Sequence, residues 1–159
     1  MFRPIRRTKR EIDLELGKDL LKESRRGVLA VNGDDGYPYA IPINFVYDDV
    51  DNKIYFHGAK AGHKIDSIKA CDKVCFTAYG HETIKDDEAW APYVQSVVIF
   101  GRCHLINDFE TGMKLVKKLA MKYYPSEDLV DEEIEASGKA VQMFEIEIEH
   151  MSAKQIQEK

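Results

Sequence analysis

The sequence lacks any apolar stretch that could cross a membrane, since its uninterrupted apolar runs do not exceed four residues. It also lacks an excess of positive charge, because the net charge of −5 offers nucleic acid no general attraction. Five of the first ten residues are basic, but the acidic residues that follow interrupt any secretory apolar segment. We therefore expect a cytoplasmic protein that binds neither membranes nor nucleic acid. The basic segment itself is interpreted as a surface segment paired with acidic neighbours, with a nucleic-acid-binding arm as the alternative.

Cysteine is scarce, and motifs for metal binding or nucleophilic catalysis are missing. Cys71, Cys75 and Cys103 form no CxxC pair and number an odd three, so we expect reduced thiols. The five histidines form neither HxxxH nor HExxH, which argues against a metal site. Without a GxSxG motif, nucleophilic hydrolysis has no support either.

Residues 37–47 carry the most informative pattern in the chain. Every odd position is large and apolar, whereas the even positions include Pro38, Ala40 and Pro42. Period two predicts a strand with one bulky face and one face of small side chains. Proline has no backbone N–H to donate to a neighbouring strand, so this strand belongs at the edge of a sheet or at a bulge. The small face leaves room for a flat ligand.

The rest of the chain predicts strands that alternate with a few helices. Residues 1–26 read as a basic segment followed by an amphipathic helix, and 108–138 as a helical appendage. Further strands are expected over 27–32, 53–57, 73–79, 94–106 and 143–150, with a short helix over 64–70. Residues 1–159 then form one domain, an antiparallel β-barrel of about six strands plus α-helices. A small barrel is filled by its own side chains, so a cofactor must lie outside it or between subunits.

The segment after the predicted strand 53–57 is the candidate anion site. Gly58 to Lys64 is a glycine-containing loop that leads into a helix near His63 and Lys64. Free amides at a helix start and adjacent basic side chains favour a phosphate, although a solvated loop explains the pattern equally well. His57, at the strand end, is the candidate proton donor; its alternative is a histidine bonded to a carbonyl.

Two aromatic residues stand in the polar loop before the strand 94–106. Trp90 and Tyr93 are interpreted either as a wall over a planar ligand or as an apolar plug beneath the loop.

An ordered series of short motifs resembles the pyridoxamine 5'-phosphate oxidase-related flavoproteins, and among them the nitroimidazole-resistance type. The motifs are Arg6-Arg7-x-x-Arg10-Glu11-Ile12, Gly33-Asp34-Asp35-Gly36-Tyr37-Pro38-Tyr39, Pro42-Ile43-Asn44-Phe45, Tyr55-Phe56-His57-Gly58-Ala59, Gly62-x-Lys64, Lys73-Val74-Cys75-Phe76 and Ser96-Val97-Val98-Ile99-Phe100-Gly101. The resemblance covers most of the chain up to Gly101.

This resemblance implies a split β-barrel that forms a homodimer with FMN at each end of the interface. It implies that His63 and Lys64 hold the phosphate, and that a small-molecule electron donor and acceptor react with the flavin. It places the remaining contacts around the ring and ribityl chain: Pro42, Ile43, Asn44, Phe45, His57, Gly58, Ala59, Ser96 and Val97.

The chain also departs from the oxidases. Their Arg–Lys phosphate pair becomes His63–Lys64, which loses a forked donor and a permanent charge. Their C-terminal substrate residues, an Arg and a Trp, have no counterpart after Met143. Pyridoxamine phosphate oxidation itself is therefore not expected. The leading prediction is an FMN-dependent oxidoreductase that reduces nitroaromatic compounds, with His57 as proton donor. The alternatives are a flavin-binding sensor or store without turnover, and a barrel that binds haem or a deazaflavin.

Overall fold

The computed structural model describes residues 1–84 and 92–157. Within them one seven-stranded antiparallel sheet has the strand order β2-β1-β5-β6-β7-β4-β3. The strands are β1 Gly27–Asn32, β2 Pro38–Ile43, β3 Val46–Asp48, β4 Lys53–Gly58, β5 Lys73–Thr83, β6 Tyr93–Ile106 and β7 Gln142–Gln157. The helices are α1 Leu14–Glu23, α2 His63–Ala70, α3 Phe109–Met121 and α4 Glu127–Ser137. The split-barrel class predicted from the sequence is confirmed.

The strand count is seven instead of the expected six, because the strand predicted over 37–47 is divided. It separates into β2 and β3 at Asn44 and Phe45, which belong to neither strand. β2 lies at one end of the strand order and β3 at the other. This two-residue bend therefore carries the chain from one edge of the sheet to the opposite edge, which curls the sheet into a barrel.

The alternating pattern in this region is confirmed. Ile43, Phe45 and Tyr47 point into the core, while Pro38 and Pro42 on the other face are exposed. Tyr37 departs from the pattern, since it precedes β2 and is 76% exposed.

Side-chain caps at the helix starts explain why three of the helices begin where they do. Asp108 accepts a hydrogen bond from the Thr111 amide at 2.8 Å and so caps the start of α3. Asp13 caps α1 and Ser126 caps α4 in the same way. The amphipathic character predicted for α1 is only partly observed. Leu20 and Leu21 are buried, but Leu14 and Leu16 are 45% and 46% exposed.

The pair β6–β7 forms the longest ladder and carries a β-bulge at Phe100 and Gly101. A Cβ at Gly101 would lie 2.2 Å from the Glu147 carbonyl oxygen, so only glycine fits there. β7 continues past its predicted end at His150 to Gln157, because its second half pairs along β6 as far as Tyr93.

The three cysteines are unpaired, and Cys103 is buried. None of the helices in the described ranges is long and apolar enough to span a membrane.

Candidate functional site

The end of β4 and the start of α2 bring Gly58 and Lys64 into direct contact. A Cβ placed on Gly58 would lie 2.6 Å from the Lys64 Nζ atom. The ammonium group therefore occupies the space that a side chain at position 58 would need. A side chain at position 58 would displace the ammonium group, so the glycine leaves room for Lys64 beside the strand end.

Lys64 carries an ammonium group that has no counter-ion among residues 1–84 and 92–157. Its Nζ lies 5.5 Å from the centre of the Phe56 ring and 5.6 Å from that of Phe144, two rings stacked on each other. It makes no hydrogen bond or ion pair with any residue in the described part of the chain. Burial lowers the pKa of Lys64 from its ordinary value. A partly buried cation that lacks an acceptor is a position where an anionic ligand binds favourably.

His63 points away from Lys64, towards the β1–β2 turn. Its ring stacks on Tyr39 with centroids 4.2 Å apart, and its Nε2 atom is 3.6 Å from an Asp34 carboxylate oxygen. The two predicted phosphate ligands thus share the first turn of α2 but rest on different neighbours. A ligand that contacts both must lie over the helix start between them.

The start of α2 offers backbone donors to such a ligand. Gly62 occupies the N-cap position at φ = 123°, a conformation that favours glycine, and it supplies no side-chain cap. The first helical hydrogen bond runs from the Asp66 amide to the Gly62 carbonyl at 3.1 Å. Amides in the first turn of a helix attract anions. The amides and the Lys64 ammonium together make an anion site at the end of β4.

His57 borders this anion site and a neighbouring cavity. Partial burial lowers the pKa of His57, and the Lys64 ammonium lowers it further. The imidazole is therefore mostly neutral at pH 7 and becomes a proton donor in more acidic solution.

The cavity beside His57 has a volume of about 300 Å³ and lies beneath α3 and α4. Its lining is mostly apolar and includes Val116, Leu119, Tyr123, Val130 and Ile134, with Asn44 at the barrel side. The sequence predicts only a helical appendage over residues 108–138 and does not indicate this cavity. The spacing of Val116, Leu119 and Tyr123 at helical intervals was the available signal, but it does not reveal which neighbour the helix covers.

The bend at Asn44 and Phe45 is held from the end of α3. The Phe45 amide donates to the Tyr123 hydroxyl at 2.8 Å, and Lys122 Nζ donates to the Phe45 carbonyl at 3.1 Å. The Phe45 side chain is fully buried. Phe45 therefore supports the bend, and Asn44 is the residue of this pair that faces the cavity.

Pro42, Ile43 and Ala59, also predicted near the ring, differ in exposure. Pro42 and Ala59 are exposed, whereas the Ile43 side chain is buried in the core. Ile43 pairs with Gly27 across the β1–β2 ladder. Pro42 thus presents its ring to a ligand, while Ile43 has only backbone atoms to offer.

Ser96 and Val97 lie far from His57 within one chain. Met143 of β7 pairs with His57, whereas Lys154, eleven residues further along β7, pairs with Ser96. At about 3.3 Å per residue, the two levels are separated by about 35 Å along the strand. Ser96 and His57 of one subunit therefore lie at distant levels of the β-ladder.

Ser96 and Val97 also differ in the side-chain groups that a ligand could contact. Ser96 is 8% exposed, and its hydroxyl has no hydrogen-bond partner among residues 1–84 and 92–157. Val97 is fully buried in the core. Of the two aromatic residues considered for a ring-covering wall, Tyr93 begins β6 opposite Gln157, and Trp90 lies outside the described residues.

Comparison with known proteins adds a family and a fold. A family model described as pyridoxamine 5'-phosphate oxidase matches residues 17–155. A protein from Bacteroides thetaiotaomicron named as a candidate 5-nitroimidazole antibiotic resistance protein is similar over 91% of this chain and 85% of its own, at 18% identity and a TM-score of 0.76. A FAD-binding protein from Mesorhizobium loti is similar over 92% of this chain and 97% of its own, at 21% identity and a TM-score of 0.63.

A FAD- and haem-binding protein from Mycobacterium smegmatis is similar over 92% of this chain and 72% of its own, at 18% identity and a TM-score of 0.73. At these identities the likenesses show a shared fold. No match was found among curated proteins.

Proposed function

The chain belongs to the pyridoxamine 5'-phosphate oxidase family, and from this we propose that it is a homodimeric, FMN-dependent oxidoreductase that reduces small nitroaromatic compounds. The observation that carries the proposal is Lys64, a partly buried ammonium at the start of α2 and beside the end of β4, which has no counter-ion in the described part of the chain. The phosphate of FMN would supply a negative charge there.

The proposed ring site lies against the face of β2 that bears small side chains. Pro38 and Pro42 are exposed there, and neither projects a long side chain that would obstruct a planar ring. His63 rests on Tyr39, which lies on the opposite face of β2 from Pro38 and Pro42. A ligand that joins Lys64 to the small face would therefore pass around the edge of the sheet that β2 forms. His57 and Asn44 border the same region from the cavity side. The residues present therefore fit a flat group with an anionic tail.

The cavity beneath α3 and α4 is the proposed site for the electron acceptor. Its volume of about 300 Å³ and its apolar lining suit a small aromatic molecule, which His57 contacts at the barrel side. Bound FMN would supply the electrons. His57 donates a proton to the reduced acceptor from its imidazolium form, and the apolar walls exclude water from the acceptor.

The separation of Ser96 and His57 supports the proposed homodimer. If both contact one flavin, as the family resemblance implies, Ser96 must come from a second copy. The outer face of β5 and β6 carries exposed Tyr79 and Phe100, which such a copy would cover.

Spectroscopy of the purified protein tests the proposal. We expect a yellow protein whose flavin is released on denaturation and identified as FMN by chromatography. NADH or NADPH should reduce the bound flavin, and a nitroimidazole should reoxidise it under anaerobic conditions. A colourless protein that takes up no flavin on reconstitution would refute the proposal.

Other spectra would point to the remaining candidates. A Soret band would identify haem, and the absorbance of a deazaflavin would identify that cofactor. Bound FMN that neither donor reduces, in a dimer confirmed by light scattering, would leave a flavin store or sensor.

A further inference from the structure

A second basic pocket lies on the side of the barrel formed by the second half of β7. Four cationic side chains surround a cavity of about 250 Å³: Arg6, Arg7, Arg10 and Lys154. Ile5 and Ile156 supply apolar walls. Lys154 pairs with Ser96 in the β6–β7 ladder, so the pocket belongs to the Ser96 level of the sheet and not to the His57 level.

The backbone holds this basic segment against the sheet. The Arg10 amide donates to the Arg7 carbonyl at 2.9 Å, which closes a short 3-10 turn over Thr8–Arg10. Glu11 forms a β-bridge with Lys154, and the Ile12 amide donates to the Ala153 carbonyl at 3.1 Å. The arginines are therefore anchored beside Lys154, which reduces the entropy lost when a ligand orders them.

The charges of the pocket are not neutralised within the described ranges 1–84 and 92–157. None of the four cations forms an ion pair or a side-chain hydrogen bond there. The acidic partners expected for the basic segment are therefore not found among these residues. Four cations around one cavity, without an ion partner in these ranges, are unusual in a chain whose net charge is −5. Like charges this close repel one another, so an anion that enters the cavity relieves the repulsion.

We propose that this pocket binds the phosphate of a nucleotide, at a site separate from the one at Lys64. Three guanidinium groups offer forked donors that match the several oxygens of a phosphate or diphosphate. The isoleucine walls suit the apolar faces of an attached nucleoside. Two nucleotides carry this chemistry: a nicotinamide dinucleotide that delivers electrons, or the adenylate half of FAD in place of FMN.

The test is a calorimetric titration of the FMN-saturated protein with inorganic pyrophosphate. We expect binding that weakens by about tenfold or more for each guanidinium removed in Arg6→Gln and Arg10→Gln. Arg3→Gln and Lys9→Gln are the matched controls, since they remove the same charge from the same segment outside the pocket lining. No binding by the unaltered protein, or equal losses in the controls, would overturn the proposal.

Two further measurements on the Arg6→Gln/Arg10→Gln double variant distinguish the sources of the phosphate. A raised Kd for NADPH or NADH with unchanged FAD affinity identifies the electron donor. A raised Kd for FAD with unchanged FMN affinity identifies the cofactor. Unchanged affinity for all of these dinucleotides would refute nucleotide binding. Because the pyrophosphate titration measures binding at the pocket and no redox reaction, its result is separable from failure of the proposed oxidoreductase function.

Discussion

Replacing Lys64 by methionine should weaken FMN binding and leave the apoprotein intact. Methionine keeps the aliphatic packing of Lys64 over Gly58 but removes the ammonium that the phosphate would contact. A hydrogen bond to a charged group contributes about 1.5–3 kcal/mol, so the Kd for FMN should rise about 10- to 150-fold.

In the protein without ligand, the same substitution removes both an unfavourable and a favourable contribution to the free energy of unfolding. Burial lowers the pKa of Lys64, which means that the folded state holds its charged form at a cost. The contacts with the Phe56 and Phe144 rings, at 5.5 and 5.6 Å, offset part of that cost. We therefore expect the urea-unfolding free energy of the Lys64→Met apoprotein to stay within about 1 kcal/mol of the unaltered protein.

Two controls make this prediction specific. Riboflavin has the ring but no phosphate, so its affinity should be the same in Lys64→Met and in the unaltered protein. Lys60→Met removes an exposed charge from the same loop and should change the FMN affinity little. Fluorescence titration measures the affinity of each protein for FMN and for riboflavin. Equal losses for FMN and riboflavin, or an equal effect of Lys60→Met, would refute the assignment of Lys64 as the phosphate anchor.

Three more predictions concern the proton donor, the bend and a helix glycine. Because burial and Lys64 lower the pKa of His57, stopped-flow rates of acceptor reduction should fall as the pH rises through a pKa below about 6.5. The His57→Gln variant should reduce the acceptor slowly and lack this pH dependence. An unchanged pH profile in the variant would exclude His57 as the proton donor. Tyr123→Phe leaves the Phe45 amide without its acceptor and should lower the urea-unfolding free energy by about 1–3 kcal/mol. Tyr124→Phe, at an exposed position, should lower it little. Equal losses in the two variants would contradict a role of the Tyr123 hydroxyl in holding the bend. Gly112→Ala should stabilise α3 by about 0.5–1 kcal/mol, since nothing lies within 4 Å of the added Cβ. Gly101→Ala should destabilise the protein strongly, because its Cβ would meet the Glu147 carbonyl oxygen. The same change in melting temperature in both variants would contradict this reasoning.

The elements that the sequence predicted well are those determined by near neighbours in the chain. The alternation through residues 39–43 follows from the geometry of an extended backbone, which sends successive side chains to opposite faces. The starts of α3 and α4 follow from Asp108 and Ser126, whose side chains cap the amides three residues later. Such interactions are local, so their signal is present in a short stretch of sequence.

The elements that the sequence predicted poorly depend on partners far along the chain. The division of the strand at Phe45 is stabilised by Tyr123, seventy-eight residues later. The second half of β7 lacks a clear alternation after His150 and is a strand because β6 pairs with it. The residues matched to the family's flavin contacts did not reveal that Ser96 and His57 lie at opposite levels of the barrel.

The sequence by itself determined the antiparallel barrel, its helical appendage and the positions along the chain of the candidate binding side chains. Only the tertiary structure decided which of those side chains meet: Lys64 over Gly58, His57 beside the cavity, and the basic segment beside Lys154. The physical reason is that backbone geometry and capping act within a few residues. The register of a long ladder and the packing of α3 over the bend depend on residues that are distant in the chain.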